Sequence, residues 1–285
     1  MNFIGGSAFP KQSDIRVRQA DLGRDGTVST IGMARWLEDA RLRVRLPRFE
    51  QLVGAGGFTP FHVLLVSQSV ERLAPVIRVD RDIQVRTGVR RVGRSSFTFV
   101  HAVFAGGKEV GSGEATVVLH GAAGPLPLPD ELIADLTDLQ MPELSQSAMT
   151  RPGDERRQRD YYPHFTPLCA RIGDVDSNQH VNFIALATWY DEAVAAFTSK
   201  AIEVGEGGAV PDLPPWSYRI QYVGEVTYPG TYEVGLLVRS FDVDSVLYEL
   251  GVFSGTTCLG IADAVGARGE LSARSLETYL TGRLG

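Results

Sequence analysis

The feature that most constrains how this 285-residue chain can fold is that it repeats itself. Val28, Met33, Trp36, Glu38, Asp39 and Ala40 line up with Val181, Leu186, Trp189, Asp191, Glu192 and Ala193 at a constant offset of 153. Farther along, Ser96, Phe99, Phe104, Gly106, Gly111 and Ala115 line up with Ser245, Tyr248, Phe253, Gly255, Gly260 and Ala264 at an offset of 149. The difference between the two offsets falls in the intervening loops. A long fixed period means one structural unit made twice, and the length suits two domains that can each bury a core.

Each repeat reads as a short strand, one long helix and then several long strands. In the second repeat Ile184, Leu186, Trp189, Tyr190, Ala193, Val194 and Phe197 recur at helical spacing, which predicts a helix over Asn182 to Lys200. Trp216 to Tyr222, Thr231 to Phe241, Ser245 to Phe253 and Thr257 to Val265 are rich in Val, Leu, Tyr and Thr. Gly, Pro or Asp turns separate them, so they predict an antiparallel sheet. A helix buries one stripe and a sheet buries one face, so the two pack on each other. This order of elements resembles the hot-dog fold. The expected architecture is α+β: two tandem hot-dog domains, each a long helix on a curved antiparallel sheet, forming an intrachain pseudodimer. The expected partition is a first repeat over residues 1–120, a linker over 121–160 and a second repeat over 161–285. Pro125, Pro127, Pro129, Pro142 and Pro152 mark the linker as extended. A short helix near Asp130 to Leu139 interrupts it, and Leu271 to Leu284 suits a terminal helix.

Composition narrows the function classes. Apolar residues at 44% and charged residues at 22% are the ordinary mix of a globular protein, and no apolar run is long enough to insert into a membrane. Met1 to Pro10 lacks the pattern of a secretory signal, so a cytoplasmic location is expected. Cys169 and Cys258 have no neighbour at metal-ligand or redox spacing. The net charge of −6 divides unevenly, with +6 on residues 1 to 120 and −12 on residues 121 to 285. That split argues against a nucleic-acid partner, which calls for a broad positive face, and leaves room for a local phosphate contact.

Chemistry concentrates in one run, Asp174-Val-Asp176-Ser-Asn178-Gln-His180-Val-Asn182, immediately before the predicted helix. The first amides of a helix lack intrahelical partners and sit at the positive end of its dipole, so they can hold a carbonyl oxygen as charge develops on it. Asn182 and Phe183 are the candidate donors. A carboxylate beside them could attack a thioester carbonyl or deprotonate water, and an imidazole could polarise, orient or transfer a proton.

The run resembles the Asp-x-Asp-x-Asn-Gln-His-Val-Asn-Asn signature of plant and bacterial acyl-acyl carrier protein thioesterases, which also have two hot-dog repeats. The wider 4-hydroxybenzoyl-CoA thioesterase superfamily is similar too, with its essential carboxylate at the position of Asp176. The resemblance implies hydrolysis of acyl-CoA or acyl-acyl carrier protein thioesters without a cofactor, and Asp176, Asn178 and His180 as catalytic residues. It also points to Glu225, because Gln221 to Val226 match the family's Glu-Tyr-Arg-Arg-Glu-Cys stretch. The sequence departs from the family in having Phe183 for the second Asn and Val226 for the Cys, so no cysteine nucleophile is expected there.

The first repeat lacks this equipment. Gly23, Asp25 and Thr27 stand where Asp176, Asn178 and His180 do, and by the strand alignment Val76 stands where Glu225 does. Its expected role is to bind substrate, with Arg90, Arg91 and Arg94 as candidate phosphate contacts. A solvated arginine cluster competes with that reading. Trp36, Trp189 and Phe183 are candidates for lining the acyl pocket. A homodimer of such chains is compatible with the sequence.

Simpler readings of the motif were weighed. An Asx-rich run before a helix can serve only as a cap. A calcium loop fails because Gln179 replaces the turn glycine and Ala185 the bidentate acid. Zinc fails because His180 has no neighbouring His or Cys. Two other functions compatible with the fold are a hydroxyacyl thioester dehydratase and a non-catalytic acyl-thioester binding protein.

Overall fold

The structure, a computed structural model, describes residues 9–56, 62–141, 153–176, 179–203, 213–277 and 280. The chain divides into two compact units, one drawn from the first half and one from residues beyond 149, with Gly23–Asp25 and Ser29–Ile31 grouping with the second. In order, the first half contains β1 (Lys11–Ile15), α1 (Thr30–Leu42), α2 (Pro47–Gly54), β2 (His62–Arg72), β3 (Ile83–Val92), β4 (Ser96–Ala105), β5 (Lys108–Gly121), β6 (Gly124–Pro125) and α3 (Asp130–Thr137). The second contains β7 (His164–Cys169), α4 (Phe183–Ala201), β8 (Ser217–Tyr222), β9 (Thr231–Phe241), β10 (Ser245–Ser254), β11 (Thr257–Ala267) and α5 (Ala273–Glu277).

Strand order is the same in both units. The first sheet runs β1-β3-β4-β5-β2, with β6 against β5, and the second runs β7-β9-β10-β11-β8. The ladders are antiparallel. One face of the second sheet takes α4. The helix is mostly apolar around its circumference, and Ile184, Leu186, Trp189, Tyr190, Ala193, Val194 and Phe197 are all buried. Phe197 meets Tyr248 edge-on at 5.8 Å between ring centroids, and Trp189 lies 5.4 Å from Tyr232. A solvent-facing corner of the same helix is tied down where the Tyr218 hydroxyl donates to Asp191 (2.8 Å). No described helix is long and apolar enough to cross a membrane.

The tract between the repeats is more than a connection. In the first unit Leu128, Leu132, Leu136, Leu139 and Met141 are buried; the Met141 amide donates to the Val89 carbonyl of β3 (2.8 Å) and the Val89 amide donates to the Leu139 carbonyl (2.8 Å). Its sulfur sits where a Cβ on Gly88 would be, 2.4 Å away. In the second unit Tyr162 lies flat on the sheet over Gly235 and Gly251, which face each other across the β9–β10 ladder. A Cβ on either glycine would come within 2.7 or 2.9 Å of the tyrosine ring, so both positions need glycine to seat it. Beside it Arg156, 6% exposed, is held by Asp263 (2.8 Å) and the Ala262 carbonyl (2.8 Å). A buried guanidinium needs such partners, because losing one leaves an uncompensated charge.

Candidate active site

The site loop is built by backbone hydrogen bonds. A single 3-10 turn over Ile172–Asp174 precedes it, and the Asp174 carboxylate accepts from the Arg171 amide (2.9 Å). Val175 and Val181 then pair as an antiparallel bridge. Inside that bridge the Asp176 amide donates to the His180 carbonyl (3.0 Å) and the Gln179 amide donates to the Asp176 carbonyl (3.1 Å). The turn closes through Gln179 in the left-handed region at φ 66°, a conformation that costs a side-chain-bearing residue about 1 kcal/mol. The loop is fastened to the β8–β9 connection, since Val181 donates to the Val226 carbonyl (2.8 Å) and His180 pairs with Thr227.

This brings His180 to Glu225. The imidazole Nε2 lies 3.2 Å from a Glu225 carboxylate oxygen, with the side chains 40% and 66% exposed. A pair so open to water adds little stability. At that distance the carboxylate can attract and orient the ring. Asp176 is partly buried at the start of the loop. Asn178 lies outside the described residues, as does Ser177.

The helix start is equally well defined. Asn182 is the N-cap of α4, and its side-chain oxygen accepts from the Ala185 amide (2.8 Å), a cap worth about 1 kcal/mol. The Asn182 amide itself donates to the Asp174 carbonyl (2.8 Å), so it is already committed. The amides of Phe183 and Ile184, the first two of the helix, are the ones without an intrahelical acceptor. The Phe183 ring packs on Tyr222, 4.6 Å between centroids, at the rim of the site. Trp189 is buried against Tyr232 in the core of its unit, and Trp36 is buried in the other, its Nε1 donating to Asp21 (3.0 Å).

The first repeat reproduces the scaffold with different side chains. Its 3-10 turn covers Gln19–Asp21, Asp21 accepts from the Arg18 amide (2.9 Å), and Leu22 pairs with Val28. Gly26 occupies the left-handed position of Gln179 with φ 76°. The Asp21–Asp174 correspondence shows that the first acid of the motif is a structural residue, a signal available at the offset of 153. Thr27, at the place of His180, accepts from Arg72 (3.3 Å). Val28 donates to the Val76 carbonyl as Val181 does to Val226. Val76 therefore matches Val226, and the counterpart of Glu225 is Pro75, which corrects the strand alignment by one residue.

The three candidate arginines separate. A bulge between Val89 and Arg91 turns Arg90 inward, where it is 11% exposed and paired with Glu114. Arg91 and Arg94 are exposed near the β3–β4 turn. Among the described residues no group of three or more His, Cys, Asp or Glu is placed to hold a metal ion.

No protein-family model and no curated relative matches the sequence. Solved structures do match. A 12:0-ACP thioesterase from Umbellularia californica is 14% identical, covering 89% of this chain and 95% of its own, with a TM-score of 0.66. An acyl-ACP thioesterase from Bacteroides thetaiotaomicron is 13% identical, covering 90% of this chain and 97% of its own, with a TM-score of 0.63. The chain has their tandem hot-dog fold across nearly its whole length.

Proposed function

We propose that this chain is an acyl thioesterase that hydrolyses acyl-CoA or acyl-acyl carrier protein thioesters to a free acid and a thiol. Fold alone does not assign an activity. The reading is supported at the N-terminus of α4, where the loop that carries Asp176 sets the His180 ring beside the Glu225 carboxylate and leads into the first helix amides. The substrate carbonyl oxygen is held by the Phe183 and Ile184 amides, where negative charge is favoured. Asp176 takes a proton from a water that attacks the carbonyl carbon, or attacks that carbon itself to give an acyl anhydride that water then hydrolyses to the free acid, and Asn178 and His180 orient the reacting groups. The tetrahedral intermediate collapses with cleavage of the C–S bond, and the thiolate leaves with a proton. The named activities of the two structural relatives agree with this chemistry.

In the same reading residues 161–285 carry catalysis, residues 1–120 bind substrate and 121–160 join them. The exposed Arg91 and Arg94 remain candidate phosphate contacts, whereas Arg90 is occupied by Glu114. The protein acts in the cytoplasm. The test is release of free thiol from a panel of acyl-CoA and acyl-carrier-protein thioesters. Turnover of at least one of them is expected. Binding without thiol release would make the chain an acyl-thioester carrier, and loss of water from a hydroxyacyl thioester with the thioester intact would make it a dehydratase.

A further inference from the structure

The loop that carries Glu225 is gripped by one side chain that the motif does not include. The Tyr232 hydroxyl, on β9, donates to the Thr227 carbonyl (2.7 Å) and accepts from the Thr227 amide (3.0 Å). A single phenol oxygen thus satisfies both backbone groups of one residue. Thr227 is the residue that pairs with His180, and Glu225, which meets the His180 ring at 3.2 Å, lies two residues before it. Tyr232 is itself held. It is 6% exposed, and its ring lies 5.4 Å from that of Trp189. The loop also comes close enough that a Cβ on Gly230 would fall 2.5 Å from the phenol oxygen.

The first repeat ties the equivalent residue from within its own loop and not from the strand. Ile83 starts β3 as Tyr232 lies at the start of β9, at the offset of 149 that relates the two sheets. Ile83 is also buried, at 2% exposure, so the core position persists but is filled by an aliphatic side chain that carries no hydroxyl. The loop beyond Val76 keeps its pairing, Thr27 to Ile77, and is closed from within: the Asp80 carboxylate accepts from the Ile77 amide (2.8 Å) and the Asp80 amide donates to the Ile77 carbonyl (3.1 Å). Packing alone therefore does not require a phenol here. Its presence coincides with a loop that must hold a carboxylate in register with an imidazole.

We infer that Tyr232 is the positioning residue of the site, fixing the Glu225–His180 pair through Thr227. This rests on the thioesterase reading for its kinetic consequence but on the hydrogen bonds for its structural one, and the experiment separates the two. Tyr232→Phe keeps the ring against Trp189 and removes only the oxygen. Misplacing a catalytic group by a fraction of an ångström costs about ten- to a hundredfold in rate. The expected result is a kcat at least about tenfold lower with KM changed by less than about twofold, since the pair acts on the transition state more than on substrate binding. Tyr248→Phe, which removes the hydroxyl of another buried tyrosine of the same sheet, is expected to leave kcat unchanged. In the same samples, hydrogen exchange at the Thr227 and Val181 amides is expected to accelerate in Tyr232→Phe only. If the wild-type chain hydrolyses no thioester, the function fails and the exchange result alone decides whether the clamp exists. Unchanged exchange, unchanged kcat in an active enzyme, or an equal loss in Tyr248→Phe would overturn the inference.

Discussion

The two repeats share a scaffold and differ in what they hang on it. Both have the 3-10 turn, the aspartate on the preceding amide, an antiparallel bridge closed by Val28 or Val181, and a left-handed residue before the helix. Four side chains then diverge, with Gly23, Thr27, Pro75 and Ile83 in one repeat and Asp176, His180, Glu225 and Tyr232 in the other. At the left-handed position Gly26 adopts its φ without steric cost, whereas Gln179 does not.

The interiors differ in the opposite sense. Beneath α1 the first repeat buries His101, Gln68 and Thr87, with the His101 Nδ1 against the Thr87 hydroxyl (3.0 Å). Arg41, Gln68, His101 and Glu114 line a cavity of about 10 Å³ there. At the matching places the second repeat has Leu250, Tyr218 and Leu236, all buried. At these three matched places the first repeat is polar and the second apolar or aromatic, while the second buries Arg156 and Thr198 elsewhere.

Exchanging residues between the repeats breaks or sharpens this contrast. The largest effect is expected at Asp176, where Asp176→Asn should lower thioester hydrolysis by about two to four orders of magnitude with the fold intact. Near-normal turnover would remove the residue from the mechanism. His180→Ala and Asn178→Ala should each lower kcat by about one to two orders of magnitude and change KM less. A rise in KM alone would reassign that residue to binding.

A smaller effect is expected in the first repeat's core. Burial, aided by the Arg41 charge, pushes His101 down to about 3, while an unfolded histidine titrates near about 6.5. Between those values the unfolded chain binds the extra proton, so this group makes stability fall as pH drops from about 6.5 towards 3. His101→Leu, the residue at the equivalent place in the second repeat, should shrink the difference between urea midpoints measured at about pH 7 and pH 5. An unchanged difference would show that His101 is not held neutral. The smallest effect should come from Gly23→Ala or Thr27→Ala, which should retain most activity. A non-hydrolysable acyl-CoA titrated by calorimetry should saturate at one ligand per chain. Two equal sites would show that the repeats divide the work differently.

Much of this was legible in the sequence because periodicity reports burial directly. The helix predicted over Asn182 to Lys200 is Phe183–Ala201, and the predicted strand over Thr231 to Phe241 has those ends. The motif marked the start of α4 for the same reason, since a polar run directly before an apolar helix supplies its cap. What sequence could not supply was the partner of each group. The occupation of the Asn182 amide by Asp174, the pairing of Arg90 with Glu114 and the one-residue shift that brings Pro75 opposite Glu225 all depend on register. A bulge at Arg90 moves register by one without leaving a compositional trace. Tyr232 escaped notice because a tyrosine in a strand ordinarily signals packing.

The seats for Met141 and Tyr162 bear on how the molecule could be taken apart. Each sheet keeps its back covered by a piece of the tract between the repeats, with residues up to Met141 serving one and Tyr162 with the turns before it serving the other. Modularity in this protein is therefore not bounded by the last strand of one repeat and the first of the next. A scission after residue 121 or before residue 163 would strip one half of its own surface, exposing Gly88 in one case and the paired glycines Gly235 and Gly251 in the other. Fragments divided within 142–152 would each retain the backing that their sheet was built to receive, which makes that interval the place to graft, permute or separately express the halves.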